Sequence, residues 1–265
     1  MAILEMTYLS KAIQGPCSFT AVLPTEYPWS PEPRPGYREG PWPTLYLLHG
    51  YTGGRLDWLR NSDVEDLAVR YGCAVIMPDG GNSFYVDSEM MGMNYGTLVG
   101  EELVRVTRGA FNLSRRREDA LIGGLSMGGC GALLNGLRFA ETFGGIIALS
   151  SALILDDVRT GAIETTRLPD IPVSYYRAIF GEGSRIPDSE LDIQAMARRD
   201  QTNGNAPRLF LACGTEDFLY QANLKTHHDL EAVCFPHEWW TRPGVHDFKF
   251  WNMSLKAGMA WYFGD

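Results

Sequence analysis

A chain of 265 residues, 45% of them hydrophobic, carries enough apolar material for one large α/β domain with a buried core. Its formal net charge of -9 weighs against nucleic acid or an anionic membrane surface as the main partner, because both select a basic surface. Its apolar runs are also far shorter than the ~18–20 residues of a membrane-spanning helix, which leaves a soluble small molecule as the expected partner.

The elements follow in chain order. The stretch through "CSFTAVLP" alternates as half-buried antiparallel strands do. "TEYPWSPEPRPGYREGPWP" holds too many prolines for regular structure and reads as a surface loop. "TLYLLHG" is a continuous apolar run of the kind found in strands buried on both faces. In "NSDVEDLAVRYG", Ser62 and Glu65 have capping-box spacing and Gly72 is a helix stop. A strand "CAVIMPDG", a helix over "YGTLVGEELVRVTRGAF", a strand "ALIGG" and a helix "MGGCGALLNGLRFA" come next. "GGIIALSS", "PRLFLACG" and "HEWWTR" supply further strands. "FKFWNMSLKAGMAWYF" closes the chain as a helix with Phe248, Trp251, Leu255 and Met259 on one face. Strands alternating with helices imply a mostly parallel sheet covered on both sides. Residues 153–205 have weak periodicity and read as a lid-like insertion over the strand ends within a single domain spanning 1–265. The five cysteines, odd in number and lacking a C-x-x-C pair, lie mostly in apolar runs as free thiols do. Together with a first segment that lacks the features of a signal peptide, they predict a cytoplasmic location.

The chemistry centres on "IGGLSMGGCG". Gly124-Leu125-Ser126-Met127-Gly128 fits G-x-S-x-G, in which flanking glycines let a strand turn sharply into a helix and hold the serine exposed at the corner. The strand-like "ALIGG" before it and the helix-like run after it supply that context. A serine hydroxyl needs a base. Of the five histidines, His227 and His228 fall on a predicted helix, His237 on a strand, and His49 at the end of an earlier strand beside the expected oxyanion site. His246 follows the last strand in a proline-glycine loop, where such a base belongs. A carboxylate must fix the imidazole tautomer, and "LFLACGTED" offers Glu216 and Asp217. Asp217 is preferred for the order Ser, Asp, His, with Glu216 as the alternative; Asp247 reads as a helix cap. The oxyanion donors are expected to be the amides of Met127, just after the nucleophile, and Tyr51, just after Gly50. Trp58, Phe84, Tyr85 and Trp240 are candidates for a substrate pocket, since flat rings suit an aromatic acyl group. No H-E-x-x-H or comparable ligand spacing occurs, so no metal is expected.

"LYLLHGYTGGRLDW", "GLSMGGCGAL", "CGTEDFLY" and "GVHDFKFW", in this order, resemble the esterase family that includes esterase D (S-formylglutathione hydrolase), tributyrin esterases, feruloyl esterases and mycolyltransferases. The resemblance covers essentially the whole chain. It implies an α/β-hydrolase fold with no cofactor, Ser126, Asp217 and His246 as the triad, and the amides of Tyr51 and Met127 as the oxyanion hole. The sequence departs from esterase D in having Tyr51-Thr52 where more glycine follows the His-Gly pair, and the 153–205 insertion does not align in detail with any member of the family. The reading is a serine carboxylesterase for short-chain acyl or hydroxycinnamoyl esters. A thioesterase or acyltransferase using the same triad, and a catalytically silent binding protein, are the alternatives.

Overall fold

The computed structural model describes residues 1–25, 39–162 and 171–264. Eight strands form one sheet: β1 (Ala2–Ser10), β2 (Gly15–Leu23), β3 (Thr44–Leu48), β4 (Ala74–Pro78), β5 (Ala120–Leu125), β6 (Gly145–Leu149), β7 (Arg208–Gly214) and β8 (His237–Arg242), in the spatial order 1-2-4-3-5-6-7-8. β1 pairs antiparallel with β2 and β2 antiparallel with β4, and every pair from β4 through β8 is parallel. β3 to β6 are buried along their whole length, which is why their sequences read as unbroken apolar runs rather than alternating ones. Two apolar clusters, one on each side, cover the sheet. This is the α/β-hydrolase arrangement, with the parallel strands delivering their C-terminal ends to one rim.

The helices that matter for the rim are α1 (Val64–Tyr71), α2 (Leu103–Ala110), α3 (Met127–Arg138), α4 (Leu155–Thr160), α5 (Val173–Phe180), α6 (Ile193–Thr202), α7 (Tyr220–Ala232) and α8 (Phe248–Phe263). α2 is entered through a π-helical turn, Leu98–Glu102, which ends on the buried Glu102 carboxylate. That carboxylate accepts hydrogen bonds from the Ser10 hydroxyl and the Lys11 and Ala12 amides at 3.1, 3.1 and 2.9 Å, tying the β1–β2 turn to the body of the fold.

Two details depart from the sequence reading. Ser62 does not cap α1. It finishes the preceding one-turn helix Asp57–Asn61 by donating its hydroxyl to the Trp58 carbonyl at 2.6 Å, and Asp63 occupies the N-cap of α1 without a side-chain cap bond. Gly72 does stop α1, at φ 55° in the left-handed region. In the 153–205 stretch, weakly periodic in sequence, the described residues form α4 to α6 and a short 3-10 turn, Gly183–Arg185. Their buried Leu155, Val158, Tyr176, Ile179, Phe180 and Met196 join the same apolar cluster as one face of the sheet. Most of the proline-rich segment, 26–38, lies outside the described residues.

Candidate active site

The glycines around Ser126 are set by clearance. A Cβ on Gly128 would sit 2.5 Å from the Leu48 carbonyl oxygen and 2.6 Å from that of His49, and one on Gly124 would collide with Gly128 itself. On Gly129 it would lie 2.6 Å from the Ser151 hydroxyl and 2.8 Å from the Leu149 carbonyl oxygen. Strands β3, β5 and β6 therefore meet α3 backbone to backbone. Ser126 sits at the corner with φ 55° and ψ -116°, a conformation that L-residues hold only when the surroundings impose it. The imposing contacts are its amide on the Leu149 carbonyl at 2.9 Å, and its carbonyl accepting from Cys130 and Ala152 at 3.0 and 2.9 Å.

Asp217 leaves the end of β7 and His246 the end of β8. The connecting loops are zipped together, Thr215 donating to the Arg242 carbonyl at 3.0 Å and Glu216 to that of Gly244 at 3.1 Å. The result brings three side chains from three loops into one line. His246 Nε2 lies 3.0 Å from Ser126 Oγ, and its Nδ1 lies 2.8 and 3.1 Å from the two carboxylate oxygens of Asp217. With a carboxylate as its only possible partner role, Nδ1 carries the proton and donates, which leaves Nε2 to accept from the serine hydroxyl. The Asp217 side chain has no exposed surface. Burial works to raise its carboxyl, but donation from His246 and from the Leu219 amide outweighs it, and the group is held below the ordinary carboxylate range. Glu216 points away: it is exposed and accepts the Gly244 amide, steadying the histidine loop instead. Asp247 caps α8 as expected, accepting from the Phe250 amide at 2.9 Å.

The family model described as "Putative esterase" matches residues 10–262. The chain belongs to this family. Within it, the chain is 38% identical over 262 residues to an acetyl esterase of Caldicellulosiruptor saccharolyticus, covering 98% of each. Among solved structures it is similar to FphF, a fluorophosphonate-binding serine hydrolase of Staphylococcus aureus, at a TM-score of 0.84 and 27% identity, over 100% of this chain and 99% of that one. It is also similar to the S-formylglutathione hydrolase FrmB of Staphylococcus aureus, at a TM-score of 0.81 and 26% identity over 99% and 98% of the chains. This esterase-family chain therefore has whole-length counterparts among serine hydrolases.

The loop expected to supply an oxyanion donor follows β3. A Cβ on Gly50 would sit 2.7 Å from Leu125 Cδ1 and in ordinary contact, at 3.6 Å, with that of Ser126, and Tyr51 is the next amide along. Met127 opens α3, and its amide is one of the four N-terminal N–H groups that a helix leaves without an internal partner. The loop is shaped by His49, a part that sequence spacing alone did not define. The His49 ring is buried; its Nε2 accepts the Gly80 amide at 2.9 Å, so its Nδ1 carries the proton and donates to the Gly50 carbonyl at 2.7 Å. Burial lowers its pKa below the ordinary value, in keeping with that neutral tautomer. The Tyr85 hydroxyl donates to the His49 carbonyl at 3.1 Å, and Asn82 accepts the Thr52 amide at 2.7 Å.

The four aromatic residues expected to contact substrate are engaged elsewhere. Trp58 is 1% exposed, donates its indole N–H to the Leu48 carbonyl at 3.0 Å and packs edge-on against Phe248. Phe84 and Tyr85 are 0% exposed. The Phe84 ring meets Phe180 of the insertion at 5.1 Å, and Tyr85 fills the space left by Gly80 and Gly131. A side chain without exposed surface cannot touch a ligand unless the core opens. Trp240 lies between Phe210 and Phe250 with the Arg242 guanidinium over its ring, in the other apolar cluster. The rings that do border His246 are Phe218, at 4.6 Å and 60% exposed, and Trp251, perpendicular at 4.8 Å. Phe218 directly follows Asp217 in "TEDF", and Trp251 lies on the helix face singled out from sequence, so adjacency to Asp217 and His246 was the available signal. Tyr51 in turn meets Tyr175 of α5 at 6.1 Å, and Tyr175, Tyr176 and Phe84 continue the ring contacts into the core.

Proposed function

We propose that this chain is a serine carboxylesterase of short-chain acyl esters that works through an acyl-enzyme, with Ser126 as nucleophile, His246 as base and acid, and Asp217 as the carboxylate that orients it. The observation that carries the reading is the continuous hydrogen-bonded line Asp217–His246–Ser126 at the C-terminal rim of the sheet. Ser126 Oγ attacks the ester carbonyl as its proton passes to His246 Nε2. The amides of Tyr51 and Met127 receive the oxyanion, a contribution of ~2.7–4 kcal/mol per donor in enzymes where it has been tested. The imidazolium, stabilised by Asp217, protonates the leaving alcohol, and water then repeats the sequence to release the acid.

A small acyl group is supported by the acetyl esterase relative at 38% identity and by the burial of Trp58, Phe84 and Tyr85, which removes the rings expected to sandwich a hydroxycinnamoyl group. A second reading, thioester hydrolysis with the same triad, is favoured by the likeness to FrmB. The reading takes the chain as one domain with 153–205 as an insertion. It places the enzyme in the cytoplasm, which the burial of Cys17, Cys73, Cys130 and Cys213 as free thiols supports. Among the described residues no helix is long and apolar enough to cross a membrane.

The test compares p-nitrophenyl acetate and butyrate, methyl ferulate, an acetylated xylo-oligosaccharide and an S-acyl thiol, for wild type and Ser126→Ala. The acetyl and butyryl esters are expected to lead in kcat/KM, and Ser126→Ala to fall to background on all. Ferulate in the lead refutes the small-acyl reading, the thioester in the lead favours the second one, and full activity of the alanine variant refutes the mechanism.

A further inference from the structure

On α7, away from the triad, His227, His228 and Glu231 converge. One ligand atom from each lies within 4.8 Å of the others. His227 Nε2 is 3.6 Å and His228 Nδ1 3.1 Å from the same carboxylate oxygen of Glu231. Bonds of ~2.0–2.2 Å from a tetrahedral zinc ion place neighbouring ligand atoms about 3.4 Å apart, so two of the three edges already have the required length.

The protons of the neighbouring groups fix which lone pairs are free. His237 Nδ1 lies 2.8 Å from the Phe235 carbonyl, which only accepts, so that nitrogen carries the proton. His237 Nε2 then accepts, and its partner at 2.8 Å, His227 Nδ1, donates. In the neutral ring this leaves an unprotonated Nε2 on His227, facing the Glu231 carboxylate. His228 Nδ1 faces the same carboxylate oxygen at 3.1 Å and donates its proton there; a bound cation would displace that proton, the ring passing to its Nε2–H tautomer, and would bring the His227 lone pair and the carboxylate onto one centre. The Trp239 ring stacks on His227 at 5.2 Å and 10°, holding the imidazole plane. A hydrogen bond from the far nitrogen to a fixed acceptor and a set ring plane are the usual supports of a histidine ligand.

We propose that His227 Nε2, His228 Nδ1 and Glu231 form a site for a divalent transition metal of the zinc class, with water completing the coordination and His237 acting as the positioning residue. Two imidazoles and one carboxylate suit zinc and its neighbours better than magnesium or calcium, which take oxygen ligands. The site lies outside the catalytic line and needs no role in ester hydrolysis.

The experiment is calorimetric titration of the full, chelator-treated chain with Zn2+ alone, with a parallel reading of Tm. His246→Ala serves as a control, because the triad histidine is the competing ligand on this chain. The proposal expects one Zn2+ per chain, a Zn2+-dependent rise in Tm, and both retained in His246→Ala. His228→Ala and Glu231→Gln, at exposed positions that leave the fold and the metal-free esterase rate unchanged, are expected to weaken binding at least ~10-fold, and His237→Phe by about 10–100-fold. Absence of stoichiometric binding, or binding that survives His228→Ala and Glu231→Gln but is lost in His246→Ala, overturns it.

Discussion

Gly128→Ala places one methyl group at the tightest junction of the site. Its Cβ would stand 2.5 Å from the Leu48 carbonyl oxygen, 2.6 Å from that of His49 and 2.7 Å from the Leu48 carbonyl carbon, all of them backbone atoms with no rotamer in which to retreat. Restoring ordinary van der Waals separation requires α3 and the end of β3 to part by about 1 Å. Overpacking of this kind costs roughly 1–3 kcal/mol, which in a chain of this size lowers Tm by about 2–4 °C for each kcal/mol. The larger effect is on rate. The displaced segment leads directly into Gly50-Tyr51, so the Tyr51 amide, proposed as an oxyanion donor, moves relative to Ser126, and a 1 Å misplacement is worth about 100-fold, or ~2.7 kcal/mol, in the barrier. Steady-state hydrolysis of p-nitrophenyl acetate with a parallel thermal melt measures both quantities. The expected result is a fall in kcat of about two orders of magnitude with KM changed far less. A variant with wild-type kcat and Tm would show that the junction is not as close as the geometry requires, and the account of the glycines would fail with it.

Asp217→Asn should leave the fold intact and lower kcat by about 10^4, because the amide presents the wrong tautomer partner to His246; a loss below 10-fold would dismiss Asp217 as the orienting group. His49→Leu strips the Gly80 amide of its acceptor, at a cost of about 1–3 kcal/mol in urea unfolding, and lowers kcat/KM without touching Ser126, Asp217 or His246. The pH dependence has a definite sign. Burial keeps the folded-state pKa of His49 below its ordinary 6.5, so the unfolded chain takes up a proton that the folded chain refuses. The stability is therefore full above about pH 6.5 and is lost as pH falls through that value, so between pH 7.5 and 5.5 the Leu variant should lose less stability than wild type. Equal losses would contradict the neutral buried ring. Trp58→Phe should reduce stability by roughly 1–3 kcal/mol through the lost bond to Leu48, with KM for acetyl and butyryl esters unchanged. A KM shift greater than fivefold would return Trp58 to the substrate pocket.

The parallel strands were legible because burial on both faces leaves an apolar run that no solvent-facing residue interrupts, as in "TLYLL" and "GIIAL". The elbow was legible because its glycines answer to backbone clearance, which depends on position in the chain and little on what packs around it. Ser62 and Glu65 illustrate the opposite case. Their spacing fits a cap, but a one-turn helix ending at Asn61 claims the Ser62 hydroxyl first, and such a short helix has no periodicity to announce it. The aromatic residues fared worst for a general reason. Composition says that rings are present, but whether a ring faces a cleft or another ring is decided by elements distant in sequence, such as Phe180 against Phe84 or Phe248 against Trp58. Phe218 and Trp251 were found only when the loops after β7 and β8 were seen side by side. The choice between Glu216 and Asp217 likewise rested on which side chain turns inward, and the Gly244 amide holds Glu216 outward.

The contacts that hold Ser126 run from peptide to peptide, through Gly124, Gly128 and Gly129, and this separates the placement of the proposed nucleophile from the identity of the side chains nearby. A core residue such as Leu133 or Ile147 can change volume and be compensated by its neighbours, while the corner keeps its geometry because no rotamer contributes to it. Substitutions in the hydrophobic layers then register as losses of stability, and the machinery itself is vulnerable at only a handful of positions, where the smallest possible change, the addition of one methyl group, does the most harm.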